Sequence, residues 1–301
     1  MIESVFRRYG PVAGLLVVLF LLLIAYLLAG AGEAGGLPPL DAPRVLILFA
    51  VGVFAGVLGG LLGVGGATIM LPIMYFYLGF PETIAIGTGL FVVIFTSLSG
   101  AYGHVSRRNA DLAVAKWLAL GGIAGVIAGS WLFTLLAGET GLLGLILGIV
   151  FLVPAIQMIR EGLFQREPAR GYAVGADRPA WAVPGFGLVV GVLTGVTGLG
   201  GGYALVPGLI YIFGVPVYVT MGTSLAALIP MAVIGGGIKV VQGFVAVGAG
   251  LILALGSVLG AQIGAATIRR FSPEILKLIF GLYFAYAAIR FIAEYFGVAL
   301  P

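Results

Sequence analysis

The sequence predicts an all-α polytopic membrane protein built from two inverted-topology repeats with broken or re-entrant helices, plus an extra N-terminal helix. Three observations predict it: a shortage of charge, a series of apolar segments, and a match between the two halves of the chain. Of 301 residues, 61% are hydrophobic and 9% charged, with a mean hydropathy of +1.21. A soluble domain carries about 25% charged residues. So few charges cannot cover a water-facing surface of this size, and a bilayer removes the need. The 51 glycines fit as well, because membrane helices use glycine for close contact and for breaks.

The first element is an apolar run from Val12 to Ala29, preceded by Arg7 and Arg8. Ala29-Gly30-Ala31 resembles a signal-peptidase site. The run is long for a signal sequence and suits a span, so an uncleaved helix is expected, with Met1 inside and Glu33 outside. A Pro-containing link completes the region 1–43. The first repeat, 44–160, holds apolar segments at 44–62, 67–79, 84–103, 112–137 and 141–160. A polar linker, 161–180, follows. The second repeat, 181–301, holds segments at 181–198, 203–214, 217–238, 246–268 and 274–296.

Shifting the first half by 135 residues matches it to the second without a gap from Gly52 to Gly129. Gly52 and Gly56 fall on Gly187 and Gly191. Gly63, Gly65 and Gly66 fall on Gly198, Gly200 and Gly201. Pro72 falls on Pro207, Gly79 on Gly214 and Pro81 on Pro216. Gly87-Thr88 falls on Gly222-Thr223, and Gly121, Gly125 and Gly129 on Gly256, Gly260 and Gly264. Matched Gly and Pro outweigh matched aliphatics, because each demands a particular backbone.

Charge sets the expected orientation. Arg107, Arg108 and Lys116 gather in one loop, Arg160, Arg166, Arg170 and Arg178 at and within the central linker, and Arg269, Arg270 and Lys277 around the start of the last segment. The positive-inside rule places all three in the cytoplasm and the C-terminus outside, for a multi-pass protein of the cytoplasmic membrane. Five segments per half is an odd number, so the second half enters from the opposite face. Secondary transporters are commonly built this way.

The stretches most informative about chemistry are 63–72 and 198–207. Each interrupts an apolar region and leaves a following segment of about a dozen residues, about 18 Å of helix, too short for a ~30 Å hydrocarbon core. A broken helix or a re-entrant hairpin is expected at each. Irregular backbone at depth is tolerated only inside protein or along a cavity. The free N–H groups opening the second half-helix form an anion site, aided by the helix dipole. The candidate substrate-binding residues are therefore Gly65, Gly66, Thr68, Thr88, Gly200, Gly201, Gly202, Tyr203, Thr223 and Ser224. Hydroxyls of Thr88, Thr223 and Ser224 would donate to an oxyanion, or bond back to their own helices; Ser97 and Ser99 are weaker candidates. The competing reading of the glycines is close helix packing.

Charged residues within the spans are few. Lys239 is expected to snorkel to the outer interface, Arg290 and Glu294 to pair one turn apart, and His104 to sit at the inner membrane edge. There is no Cys, which excludes disulfides and thiolate chemistry. No nucleotide loop with Lys-Ser/Thr is present, and neither a cofactor, a metal nor a nucleic-acid partner is expected.

These residues carry a resemblance. The succession Gly63–Pro72, Gly79-Phe80-Pro81 and Ala85-Ile86-Gly87-Thr88 recurs as Gly198–Pro207, Gly214-Val215-Pro216 and Met221-Gly222-Thr223-Ser224. Over about residues 44–296 it resembles the TauE/SafE family of sulfite exporters, also called TSUP. The resemblance implies transport of sulfur-containing anions such as sulfite, thiosulfate or organosulfonates. Ala67 stands where the second half has Gly202, and Gly89 where it has Ser224, so the two half-sites are chemically unequal.

The reading is a secondary carrier of small anions working by alternating access, one half rocking against the other. An anion channel, an intramembrane enzyme and a non-transporting assembly or receptor subunit are the alternatives. An enzyme would need a nucleophile with its base, paired carboxylates or metal ligands; with one His and no Cys, non-enzymatic function is expected. A homo-oligomer is left open.

Overall fold

The computed structural model describes residues 2–29, 37–164, 181–270 and 272–298. The candidate cleavage site and most of the central linker, including Arg166, Arg170 and Arg178, lie outside these residues. All regular structure among the described residues is helical. The order is α1 (Ile2–Leu28), α2 (Ala42–Leu62), α3 (Ala67–Phe76), α4 (Glu82–Val105), α5 (Leu112–Leu136) and α6 (Thr140–Phe164). There follow α7 (Ala182–Thr197), α8 (Gly202–Pro207, continuing as a π turn through Gly208–Ile212), α9 (Val217–Val241), α10 (Val247–Thr267) and α11 (Pro273–Tyr295). Seven of the described helices are long and apolar enough to cross a membrane. Large side chains such as Phe54, Trp131, Val153 and Leu282 point outward, as lipid-facing surface requires.

Glycine decides which helices meet. Gly52, Gly56 and Gly60 of α2 lie directly on the α10 backbone at Leu253, Ser257 and Ala261. Gly256, Gly260 and Gly264 of α10 return the contact at Phe49, Val53 and Val57. Helices α5 and α7 repeat the arrangement: Gly121, Gly125 and Gly129 meet Pro184, Leu188 and Val192, and Gly187, Gly191 and Gly195 meet Leu118, Gly122 and Val126. In these ladders a methyl group would overlap neighbouring backbone. Four-residue spacing keeps each ladder on one helix face, and small residues let the backbones approach. Both pairs run parallel. Helices α6 and α11 pack antiparallel, with Gly148 against Ala288 and Ile292 and Gly162 against Leu278.

These contacts define two faces. On the first, Glu82 at the start of α4 adjoins Gly144 near the start of α6, and the Tyr75 hydroxyl near the end of α3 donates to Glu294 near the end of α11 at 2.6 Å. On the second lie His104 near the end of α4, and Glu161 near the end of α6, which accepts from Tyr211 at the end of the π turn. Helix α2 starts on the Glu82 face and α3 ends there, so together they form a re-entrant hairpin. Helix α7 starts on the His104 face, where α8 and its π turn also end, giving a hairpin of opposite direction.

Two expected side-chain placements differ. Arg290 does not pair with Glu294. It lies over the Phe76 ring at 4.2 Å and donates to Tyr77 and Tyr286, while Glu294 accepts a hydrogen bond from Tyr75. The aromatic end of α3 separates them, an arrangement that helical spacing alone does not reveal. Lys239 does not snorkel either: it is fully buried, its Nζ 2.9 Å from the centre of the Phe133 ring. Phe133 of α5 covers the route to the surface.

Candidate functional site

Helix α2 ends at Gly63, and the chain turns through Gly63, Gly65 and Gly66 at φ 72°, 86° and 82°. Helix α7 ends at Gly198, and the turn runs through Gly198, Gly200 and Gly201 at φ 66°, 81° and 72°. This left-handed region is open to glycine and strained for other residues, which explains the matched clusters. Gly66 and Gly201 occupy the N-cap positions of α3 and α8, and neither can supply a side-chain cap.

The first turns therefore keep unfilled donors. Ile69 and Met70 N–H donate to the Gly66 carbonyl, as Ala204 and Leu205 N–H donate to that of Gly201. Among the described residues, the N–H groups of Gly65, Gly66, Ala67 and Thr68 find no acceptor, nor do those of Gly200, Gly201, Gly202 and Tyr203. All eight residues are buried. Buried N–H groups are nearly always paired, so two such clusters mark a place built for an acceptor that the chain itself does not provide.

The two breaks adjoin. A Cβ on Gly65 would lie 3.2 Å from Val93 Cγ1 and one on Gly200 would lie 3.0 Å from Val93 Cγ2. Leu228, the counterpart of Val93 under the 135-residue shift, touches the places of both Gly65 and Gly201. Gly202 presses on the backbone of Gly63 and Val64. Val93 of α4 and Leu228 of α9, both fully buried, thus wedge an apolar pair between the breaks. A single repeat gives no clue to this pair; alignment of the two halves brings it out.

A cavity of about 60 Å³ lies beside the second break, lined by Val64, Gly202, Tyr203, Met221 and Glu161 among others. It has room for a few waters, and its lining contains no basic side chain. Tyr203 is buried, and its hydroxyl approaches Thr197 without a well-formed hydrogen bond. Tyr203 also borders an apolar cleft of about 300 Å³ between α6, α7 and α8. Thr68 is buried at the start of α3.

Thr88 and Thr223 make their hydrogen bonds at helix junctions. Thr88 Oγ1 accepts from the N–H of Ala246, which caps α10, at 3.0 Å. Thr223 Oγ1 accepts from the N–H of Asp111, which caps α5, at 2.8 Å. The 135-residue shift carries one bond onto the other. Thr223 also donates to Val219 O at 2.7 Å, so its proton is committed in this conformation rather than offered to an oxyanion. Ser224 donates to Gly63 O at 2.8 Å, tying the second half to the first break. Its counterpart Gly89 faces Ala67 and Gly198 with no hydroxyl to offer. Ser97 and Ser99 bond to the carbonyls of Ile94 and Val258.

His104 is fully buried within the protein, its ring Nε2 donating to Gly60 O at 2.8 Å. Glu82 was not signalled by the sequence: it is 4% exposed, with Oε1 lacking a partner. Its position directly after Pro81, in the first turn of α4, is the one hint available.

The family model described as sulfite exporter TauE/SafE matches residues 48–291. Among curated proteins, the chain is 28% identical to the probable membrane transporter protein YjnA of Bacillus subtilis, over 77% of this chain and 93% of that one. It is 25% identical to the probable membrane transporter protein YunE of the same organism, over 78% and 92%. It is 27% identical to a probable membrane transporter protein of Methanocaldococcus jannaschii, over 77% and 90%. No solved structure matches the chain.

Proposed function

The chain belongs to the sulfite exporter TauE/SafE family, and we propose that it is a secondary carrier of small anions, with sulfur-containing oxyanions (sulfite, thiosulfate or organosulfonates) as substrates. The observation that carries this reading is the pair of facing glycine breaks with their unpaired, buried N–H groups. Donors fixed in a dry interior and lacking protein acceptors suit a compact, oxygen-rich anion. Gly65, Gly66 and Thr68 line one half of the proposed site, and Gly200, Gly201, Gly202 and Tyr203 the other. Thr88, Thr223 and Ser224 hold the surrounding helices. The sulfur specificity rests on the family.

The two hairpins enter from opposite faces, which supports an inverted repeat of 44–160 and 181–301 and an alternating-access cycle. Arg107, Arg108, Lys116, Arg160 and Arg270 cluster toward the His104 face, so that face is assigned to the cytoplasm and the end of α11 to the outside.

Reconstitution into liposomes with radiolabelled sulfite and thiosulfate tests the proposal. Saturable uptake, competed by sulfur oxyanions and not by a neutral amino acid, is expected. Uptake that never saturates would point to a channel, and a folded protein that moves no anion would overturn the reading.

A further inference from the structure

Glu82 is a buried carboxylic side chain with no part in the glycine breaks. It opens α4, is 4% exposed, and its Oε1 has no hydrogen-bond partner. A Cβ on Gly144 of α6 would lie 3.3 Å from that oxygen and 3.8 Å from Phe291 of α11. Phe291 is itself buried, stacked on Tyr75 at 5.9 Å and on Phe151 at 6.1 Å, with Phe76 at 4.8 Å. Four helices thus meet around this carboxyl: the start of α4, the end of α3, and the packed pair α6 and α11.

Two titratable groups face it. Tyr75 comes from α3 and Glu294 from α11, while α6 presents Gly144. Glu294 is exposed, accepts from Tyr75 at 2.6 Å, and its charge acts on Glu82. The cations of this face are engaged elsewhere: Arg290 with Tyr77 and Tyr286, Arg44 with Asp41, and Lys239 against Phe133. A buried carboxylate oxygen without a donor is costly, and a second carboxylate nearby adds repulsion. A metal cation would need several oxygen ligands, and here the nearest side chain is the Phe291 ring. A proton needs the carboxyl alone.

We propose that Glu82 is a proton-binding site of the carrier, loaded in this conformation and emptied when α4 parts from α6 and α11, so that anion movement is coupled to a proton. The step is a simple protonation, in which the carboxylate and a proton from water give the neutral acid. The site rests on the carrier reading above and supplies its coupling ion. Helix α4 also carries Val93, which touches the places of Gly65 and Gly200. A shift of α4 that wets Glu82 therefore also moves the wall between the breaks.

Thermal unfolding in detergent is read first, for the wild type and for Glu82→Gln, which keeps the shape of the neutral acid. If folded Glu82 keeps a proton that the unfolded chain loses, the wild type loses stability as pH rises and the variant does not. A gap in Tm should therefore open in favour of Glu82→Gln between the ordinary glutamate pKa of about 4.3 and about pH 8. A carboxylate held as the ion would open the gap in the opposite direction, and a purely structural role would leave it independent of pH; either result would overturn the site. In liposomes the probe is thiosulfate, which stays a dianion over this range and carries no proton of its own. With the membrane potential clamped, wild-type uptake should change the luminal pH reported by a trapped dye, and Glu82→Gln should lose that change. Thiosulfate uptake without proton movement, or with proton movement intact in Glu82→Gln, would overturn the coupling and leave the carrier standing. The pH-dependent gap in Tm, in a wild type that moves no anion, would keep the proton site and remove the carrier.

Discussion

Thr88 and Thr223 each hold the N–H of a residue that starts a helix in the other half of the chain. Valine has nearly the shape of threonine but cannot accept. Thr223→Val therefore removes the hydroxyl that accepts from the Asp111 N–H, and loss of such a part-buried hydrogen bond costs about 0.5–1.5 kcal/mol. Denaturation in detergent should show a loss of that size with the KM for sulfite unchanged. A raised KM at wild-type stability would instead place the Thr223 hydroxyl on the substrate. The sequence identified Gly87-Thr88 and Gly222-Thr223 as special because both recur. It could not assign their work, since the acceptor role depends on Ala246 and Asp111, more than a hundred residues away. Lys239 was obscure for a related reason. A lysine close to a helix end can reach water or be covered, and the cover here is Phe133 of another helix.

The glycine ladders make a sharper demand on whole helices. Gly125 of α5 sits on the α7 backbone, and a Cβ there would come within 2.8 Å of Val192 N. Gly125→Leu should force α5 and α7 apart, and size-exclusion chromatography should show loss of the monodisperse protein. Gly237 of α9 has nothing within 4 Å of its Cβ position. Gly237→Ala should keep that profile and stabilise by up to about 1 kcal/mol, since alanine is the better helix former. If both variants behaved alike, glycine content rather than these contacts would be setting stability. Element positions were legible: the apolar segments expected at 67–79 and 203–214 correspond to α3 and to α8 with its π turn. Whether each break was a hairpin or an interrupted crossing was not legible, because a 10-residue helix of about 15 Å serves either. The contact of Tyr75 with Glu294 decides it by returning α3 to the Glu82 face.

Alternation by one sequence half rocking against the other, as the repeat suggested, conflicts with the packing of the complete molecule. The tightest glycine contacts, α2 on α10 and α5 on α7, join helices from different halves. Rocking the halves would have to open both ladders. The 135-residue match showed which glycines were equivalent, but not which ladder met which, so the exchange of α5 and α10 between halves went unread. The ladders instead group α2 with α10 and, by the same shift, α7 with α5, each pair packing in turn on α4 or α9. Thr96 of α4 donates to Ser257 of α10 at 2.8 Å. Helices α4 and α9 also pack closely on each other, and the two breaks meet Val93 and Leu228 between them. Near the His104 face, a Cβ on Gly100 would lie 2.8 Å from Leu225 Cδ1; near the Glu82 face, one on Gly235 would lie 2.9 Å from Leu90 Cδ2. The chain has no native cysteine, so paired cysteines report cleanly. Oxidised Thr96→Cys/Ser257→Cys should take up sulfite at close to the wild-type rate. Gly100→Cys/Leu225→Cys and Leu90→Cys/Gly235→Cys, linked by a short thiol-cleavable cross-linker, should lose at least nine-tenths of uptake and regain it on reduction, as expected if apolar residues between α4 and α9 must part for an anion to pass. Full uptake with the two helices linked at both ends would mean that α4 and α9 move as one body, and that the path opens elsewhere.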